Sequence, residues 1–149
     1  MPSLKITPPT YLLVAIFLIV IFHFTLPVLM LIPAPWTLIG IIPLVFGIVV
    51  SVNADELFQE ADTTVNPFDA SSSLVTYGPY RFTRNPMYLG FTLVLFGVSI
   101  LAGSLTPFAV VLAFAVTMDR LFIHMEEQKL ASTFGAQWDE YKSRTRRWL

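Results

Sequence analysis

Residues with the potential for chemistry gather first in the segment GPYRFTRNPMYLG, residues 78–90, where Arg81 and Arg84 directly precede a hydrophobic run. Asn85 and Pro86 are typical of a helix start, because asparagine caps free backbone N–H groups and proline suits the first helical turn. The free amides and the positive end of the helix dipole bind anions. The segment therefore predicts a site for a carboxylate or phosphate, with simple anchoring at a membrane surface as the alternative.

A second polar cluster lies in MDRLFIHMEEQKL, residues 118–130. If a helix continues through this segment, Asp119, Phe122 and Glu126 share one face, and Glu127 lies on a neighbouring face where it can pair with an arginine. Adjacent acids that emerge from lipid are costly unless they face water, a partner or a ligand. Both glutamates are therefore candidate site residues, with a solvated helix surface as the alternative.

A metal site is not expected, since the chain has no cysteine and only two histidines. His23 stands alone in the first apolar run, which favours a hydrogen-bonding role between helices.

The composition indicates that lipid surrounds these clusters. Of the 149 residues 55% are apolar and 13% are charged, against about 25% charged in soluble domains, and the mean hydropathy is +0.69. Apolar blocks cover residues 11–32, 38–52, 88–102 and 105–118, the last extended by 121–123. A helical span needs about 20 such residues. We predict an all-α integral membrane protein with four transmembrane helices in two antiparallel hairpins, a cytoplasmic connecting loop and a C-terminal helix.

The positive charges predict the orientation. The nine basic residues lie in three places that an even number of spans puts on one side: at Lys5, between the second and third runs, and after the fourth. By the positive-inside rule this side is cytoplasmic. We expect a bacterial or archaeal inner-membrane protein with both termini and the active site cytoplasmic, no nucleic-acid partner, and one domain over residues 1–149. Its parts are an N-terminal hairpin (1–53), a cytoplasmic loop (54–85), and a catalytic hairpin with C-terminal helix (86–149).

The order and spacing of the motifs in the second half of the chain resemble one family of integral-membrane methyltransferases. That family includes isoprenylcysteine carboxyl methyltransferase and the phospholipid N-methyltransferases. The matching motifs are Leu74-Val75, Gly78-Pro79-Tyr80, Arg84-Asn85-Pro86-Met87-Tyr88, Glu126-Glu127-Gln128-Lys129-Leu130, and Phe134-Gly135 with Trp138 and Tyr141.

The resemblance implies S-adenosylmethionine as methyl donor, which becomes S-adenosylhomocysteine, and a lipophilic small molecule or lipid as acceptor in the membrane. It assigns catalytic roles to Glu126, Arg84 and Glu127. The cofactor-binding residues that it implies are Ser72, Ser73, Leu74, Val75, Tyr80, Asn85, Pro86, Met87, Tyr88 and Glu126.

One departure leaves the acceptor open. Carboxyl methyltransferases of this kind carry an arginine one helical turn before the first acid, whereas this chain has Phe122 there. Acceptor contacts are therefore assigned to Arg120, Phe122 and His124. The acceptor can resemble that of isoprenylcysteine carboxyl methyltransferase, or be a phospholipid amine. A small four-helix multidrug exporter is the alternative from another class, although residues 11–32 lack the membrane-embedded acid on which such exporters depend.

Overall fold

The chain folds into a helical bundle, seen in a computed structural model that describes residues 7–62 and 72–149. A 3-10 turn at Trp36–Gly40 leads into the second helix, and a π-helical turn at Asp119–Ile123 joins the fourth and fifth helices. The helices are α1 (Pro8–Thr25), α2 (Ile41–Glu60), α3 (Pro86–Ala102), α4 (Thr106–Met118), α5 (His124–Phe134) and α6 (Ala136–Arg144). The prediction of an all-helical protein is confirmed for the described residues.

Three helical stretches are long and apolar enough to cross a membrane: Pro8–Thr25, Trp36–Glu60 and Thr106–Phe134. Helix α3 is equally apolar but has 17 residues, fewer than the roughly 20 that a span needs. The structure therefore indicates an integral membrane protein, and the fourth span stays a prediction. Helix α2 continues to Glu60, so the predicted loop 54–85 begins as helix.

The central helix of the bundle is α3, which packs along α2 on one side and against α1 and α4 on the other. Helix α1 packs against α4 and α3 rather than against α2. The predicted first hairpin is thus not a packed pair. The short connection between α1 and α2 led to the prediction that they pack together, but each helix packs mainly against other helices.

Glycines explain the tight pairing of α2 with α3. A Cβ on Gly47 would lie 2.5 Å from the carbonyl oxygen of Gly90, and a Cβ on Gly40 would lie 2.4 Å from that of Gly97. Only hydrogen atoms fit between the two backbones at these points. Small residues that allow helices to approach closely commonly promote helix association in membranes. There the hydrophobic effect does not drive helices together, because lipid tails are as apolar as the side chains.

Two clusters of buried apolar side chains stabilise the end of the bundle that carries α5 and α6. The larger one joins α1, α3 and α4, with Ile19, Leu95 and Met118 almost fully buried. The smaller one lies at the end of α2, where Val75 and Tyr80 pack around Ala54. At the other end of the bundle, His23 Nδ1 lies 3.0 Å from the hydroxyl of Ser104. This confirms a hydrogen-bonding role for His23, with a partner in the connection between α3 and α4 rather than on a helix.

The predicted orientation has a direct test. Because every Lys and Arg falls on one side of a four-span topology, a cysteine at Ser3, Ser71 or Ser143 should react only with a cytoplasmic thiol reagent. Ser3 and Ser71 lie outside the described residues. A cysteine at Ala34, in the opposite connection, is the control and should react only from the other side. Since the chain has no cysteine of its own, each variant carries a single thiol, and labelling of Ser143→Cys from outside the cell would refute the orientation.

Candidate functional site

The signature loop, residues 74–85, crosses the end of the bundle between α2 and α3 and is held by buried aromatic residues. The ring of Tyr80 packs edge-on against Phe58, with 5.3 Å between centroids. The Tyr141 hydroxyl donates a hydrogen bond of 2.7 Å to the carbonyl oxygen of Tyr80. Burial raises the pKa of the Tyr141 hydroxyl above its usual range, so it remains a donor at neutral pH. This contact fixes the loop to α6.

The side chain of Arg84 is only 9% exposed and is held by several hydrogen bonds. Its Nε and Nη2 atoms lie 3.0 and 2.9 Å from Glu127 Oε1, and its Nη1 donates to the carbonyl oxygens of Lys142 and Thr145. The guanidinium carbon lies 5.8 Å from the centre of the Trp138 ring, within the range of a cation–π contact. Arg84 therefore links the signature loop to both α5 and the end of α6.

Glu127 lies between two arginines. Its Oε2 is 2.5 Å from Nη2 of Arg147, while Oε1 accepts from Arg84, so both oxygens are engaged. The expected pairing of Glu127 with an arginine is confirmed, and the structure supplies two, Arg84 and Arg147. A buried carboxylate is stable only when it is paired and hydrogen-bonded, and this cluster supplies both conditions. The geometry gives Glu127 a structural task, and its predicted catalytic role stays a prediction.

Glu126 has a different environment. The Tyr88 hydroxyl donates a hydrogen bond of 2.5 Å to Glu126 Oε1, and no hydrogen bond to Oε2 is found among residues 7–62 and 72–149. The ring of Phe122 is buried and stacks on Tyr88 at 6.4 Å, with Tyr11 edge-on to it at 5.5 Å. Glu126 thus presents a carboxylate oxygen beside an aromatic wall at the start of α3.

The π-helical turn corrects the predicted arrangement of acids. The backbone N–H of His124 donates to the carbonyl oxygen of Asp119, which adds one residue to that turn. Asp119 consequently joins the Glu127 side of the helix, where its Oδ1 lies 3.4 Å from Arg147 Nη1. The expectation that Asp119 shares the Glu126 face is wrong, because it assumed 3.6 residues in every turn.

Asn85 stands at the N-cap position of α3, but its side chain does not cap the helix. Its Nδ2 donates instead to the carbonyl oxygen of Arg147 at 3.0 Å. The predicted capping hydrogen bond is wrong, because a distant carbonyl binds the amide. The first backbone bond of the helix runs from Leu89 to Asn85, so the amides of Met87 and Tyr88 precede the helical ladder. The first turn of α3 keeps the character of an anion site.

Apart from Leu74, the remaining predicted cofactor residues divide into two groups. Ser72 and Ser73 donate from their hydroxyls to the carbonyl oxygens of Asp62 and Ala61, at 2.8 and 2.9 Å, and so hold the chain to the end of α2. The second group consists of Val75, Tyr80 and Met87, which pack in or beside the smaller apolar cluster, and of Pro86, which is fully buried.

Leu74 faces elsewhere, into a groove of about 510 Å³ between the signature loop and α6 that Arg81 and Tyr141 also line. None of the other predicted cofactor residues lines this groove. We therefore place the candidate site at the start of α3, where the first turn is uncapped and its residue Tyr88 binds Glu126.

The three predicted acceptor residues do not come together. Phe122 lies beside Tyr88, whereas Arg120 and His124 are exposed. His124 Nε2 lies 3.0 Å from Nε2 of Gln128 on the helix surface. Within the part of the chain that the structure describes, no three His, Asp or Glu side chains are grouped to hold a metal ion.

Comparison with known proteins identifies the family of this chain. A family model described as phospholipid methyltransferase matches residues 36–137, more than half of the chain. The chain belongs to the phospholipid methyltransferase family. The resemblance seen in the motifs is thus confirmed at the level of the family, and no curated protein matches the sequence.

A solved structure is similar to this family member over nearly the whole chain. The structure of a eukaryotic intramembrane Ras methyltransferase, isoprenylcysteine carboxyl methyltransferase, is similar with a TM-score of 0.69 and 25% sequence identity. The similarity covers 95% of this chain and 51% of that protein, so the chain spans about half the length of its structural relative.

Sequence reasoning missed the last residues of this phospholipid methyltransferase family member. Arg147 and Trp148 both contact Asp119, and the carbonyl oxygen of Arg147 accepts from Thr83 and Asn85. The C-terminal positive charge was visible in the sequence, but nothing in its spacing distinguished Arg147 from its neighbours.

Proposed function

We propose that this chain transfers a methyl group from S-adenosylmethionine to a lipophilic acceptor within the membrane. One observation carries the proposal most directly: Glu126 accepts a hydrogen bond from the hydroxyl of Tyr88, a residue of the uncapped first turn of α3. A carboxylate and free helix amides at one place suit a small molecule that has both a cationic and an anionic group. Membership of the family supplies the reaction class.

The residues present fit such a cofactor. The amides of Met87 and Tyr88 suit its carboxylate, and Glu126 suits its ammonium group or ribose hydroxyls. The apolar wall that Tyr80 and Met87 help to form suits an adenine ring. The bound cofactor would supply a methyl group on a reactive sulfonium. The chain itself then has to bind and orient the two reactants and exclude water.

Arg84 and Glu127 support this arrangement through position. Their buried ion pair fixes the start of α3 against α5, and so sets the direction in which Glu126 points. The acceptor would enter from the bilayer, because α1, α2 and α4 expose long apolar surfaces. Membrane lipids are then both the surroundings of the protein and the source of its substrate.

Phe122 favours an amine as the accepting group. A carboxylate acceptor needs a cationic partner, whereas the position one turn before Glu126 holds a buried phenyl ring stacked on Tyr88. Arg120 and His124, which were candidates to replace a missing arginine, are exposed on the helix surface. A lipid amine, as in phospholipid methyltransferases, is therefore the favoured acceptor over a prenylcysteine carboxylate. Membership of this family argues against the multidrug exporter.

The proposal is tested with purified protein and with membranes. Calorimetry in detergent should show binding of S-adenosylmethionine and of S-adenosylhomocysteine. Membranes that contain the protein should transfer labelled methyl groups to added phosphatidylethanolamine more than to a farnesylcysteine analogue, with membranes lacking the protein as control. A flat titration with demonstrably folded protein would remove the enzymatic function, and preferential labelling of the farnesylcysteine would reverse the choice of acceptor.

A further inference from the structure

The C-terminal strap, residues 145–149, runs across the signature loop. The backbone N–H of Arg84 donates to the carbonyl oxygen of Arg146 at 2.9 Å. The hydroxyl of Thr83 and the side-chain amide of Asn85 both donate to the carbonyl oxygen of Arg147, each at 3.0 Å. Three consecutive residues of the loop are therefore bound by two consecutive carbonyl groups of the strap.

The side chains of the strap reach the other half of the site. The guanidinium of Arg147 binds Glu127 through Nη2 at 2.5 Å and approaches Asp119 through Nη1 at 3.4 Å. Trp148 donates from Nε1 to the same oxygen of Asp119 at 3.2 Å and packs against the larger apolar cluster. The guanidinium thus spans the π-helical turn, with Asp119 at the start of the turn and Glu127 after its end.

Arg147 is the residue at which the two sets of contacts meet. Its carbonyl oxygen holds the start of α3, and its guanidinium holds the helix that carries Glu126. The strap also lies beyond residues 36–137, the part of the chain that the family model matches. We propose that Arg147 is a positioning residue, which sets the spacing between the uncapped first turn of α3 and the Glu126 carboxylate. For the cofactor, this proposal rests on the proposed function.

The physical reason is the π-helical turn. A π turn is less regular than an α turn and commonly marks a functional position, so the rotation of α5 relative to α4 needs an external constraint. Arg147 supplies it by bridging Asp119 and Glu127 across the turn. Without the guanidinium, Glu127 keeps Arg84 as its partner, but Asp119 at the start of the turn loses its ion pair. The rotation of α5 that directs Glu126 towards Tyr88 is then less firmly fixed.

The test compares Arg147→Ala with Arg146→Ala, a matched variant in the same strap that removes an exposed side chain of equal charge and leaves both carbonyls in place. Thr83, 3% exposed beneath the strap, is replaced by cysteine as a reporter, since no other thiol is present. We expect Arg147→Ala to accelerate labelling of this thiol by about tenfold or more, because protection falls with local opening. Arg146→Ala should leave the rate unchanged.

Binding supplies the second measurement. In the natural Thr83 background, Arg147→Ala should weaken S-adenosylmethionine binding by about tenfold or more. The reason is that a displaced Glu126 no longer makes its charge-assisted contact with the cofactor. The KM for the lipid acceptor should change little, a split that general destabilisation would not give. Arg147→Lys restores the charge without the guanidinium fork, so it should fall between the wild type and Arg147→Ala. It also serves as the test variant if Arg147→Ala does not fold.

The outcomes separate this proposal from the proposed function. If the wild type binds no cofactor, the methyltransferase function fails, while the labelling rates still decide whether Arg147 holds the loop. Equal labelling of the Arg147 variants and the wild type would overturn the positioning role. Equal effects of Arg146→Ala and Arg147→Ala would also overturn it, since net positive charge would then explain the result.

Discussion

Glu126→Gln should weaken the binding of S-adenosylmethionine by about tenfold to a hundredfold and leave the protein folded. Glutamine keeps the shape of the side chain and can still accept from Tyr88, which binds only Oε1 in the structure. What is lost is a charge-assisted hydrogen bond from the second oxygen to the cofactor, worth about 1.5–3 kcal/mol. Calorimetry in detergent measures the change directly, with Glu140→Gln on the exposed face of α6 as the control for lost charge.

The neighbouring acid gives the sharpest comparison. Both oxygens of Glu127 bind guanidinium groups, so Glu127→Gln should lower the unfolding temperature markedly, since it leaves buried charge poorly paired. Its effect on cofactor affinity should be smaller than that of Glu126→Gln. If Glu126→Gln binds like the wild type while Glu127→Gln does not, the other face of the helix contacts the cofactor and the site has been placed wrongly.

The features that the sequence predicted well are those that depend on local chemistry or on composition. Apolar blocks identified the helices, and the lone polar His23 implied a partner, which is Ser104. Because Glu126 and Glu127 are adjacent on a helix, they were expected to have different neighbours. In the structure Glu126 contacts Tyr88, and Glu127 contacts two arginines. These inferences need only helical periodicity and the cost of an unpaired buried charge.

The predictions that failed depended on distant residues or on a local irregularity of a helix. Asn85 has the residue type of a cap, but a carbonyl in the strap competes for its side chain. The π-helical turn changes which acids share a face, and no local pattern announces it. Chain order suggested that α1 packs against α2, whereas close contact between glycines on α2 and α3 gives α2 another partner. For Asn85 and for α2 the deciding contact joins segments far apart in sequence, whereas the π-helical turn is a local change in the backbone hydrogen bonds.

The signature loop depends on that glycine contact, because α2 carries Ala54 and Phe58, against which the loop residues Val75 and Tyr80 pack. A displacement of α2 from α3 would therefore also release the loop from its apolar support. A substitution that separates α2 from α3 should therefore lower the unfolding temperature and weaken cofactor binding together.

Gly90→Leu should destabilise the protein by about 3 kcal/mol or more, at the upper end of the cost of overpacking. A Cβ at this position would lie 2.1 Å from the hydroxyl oxygen of Ser51 and 2.6 Å from the carbonyl oxygen of Gly47. The serine can rotate away but the backbone carbonyl cannot, so the helices must separate. Ala113→Leu, on the exposed face of α4, is the matched control and should be neutral. Thermal unfolding in detergent should show a much lower unfolding temperature for Gly90→Leu than for Ala113→Leu, and Gly90→Leu should also lose cofactor binding. Equal unfolding temperatures for the two variants would refute the close contact of α2 with α3.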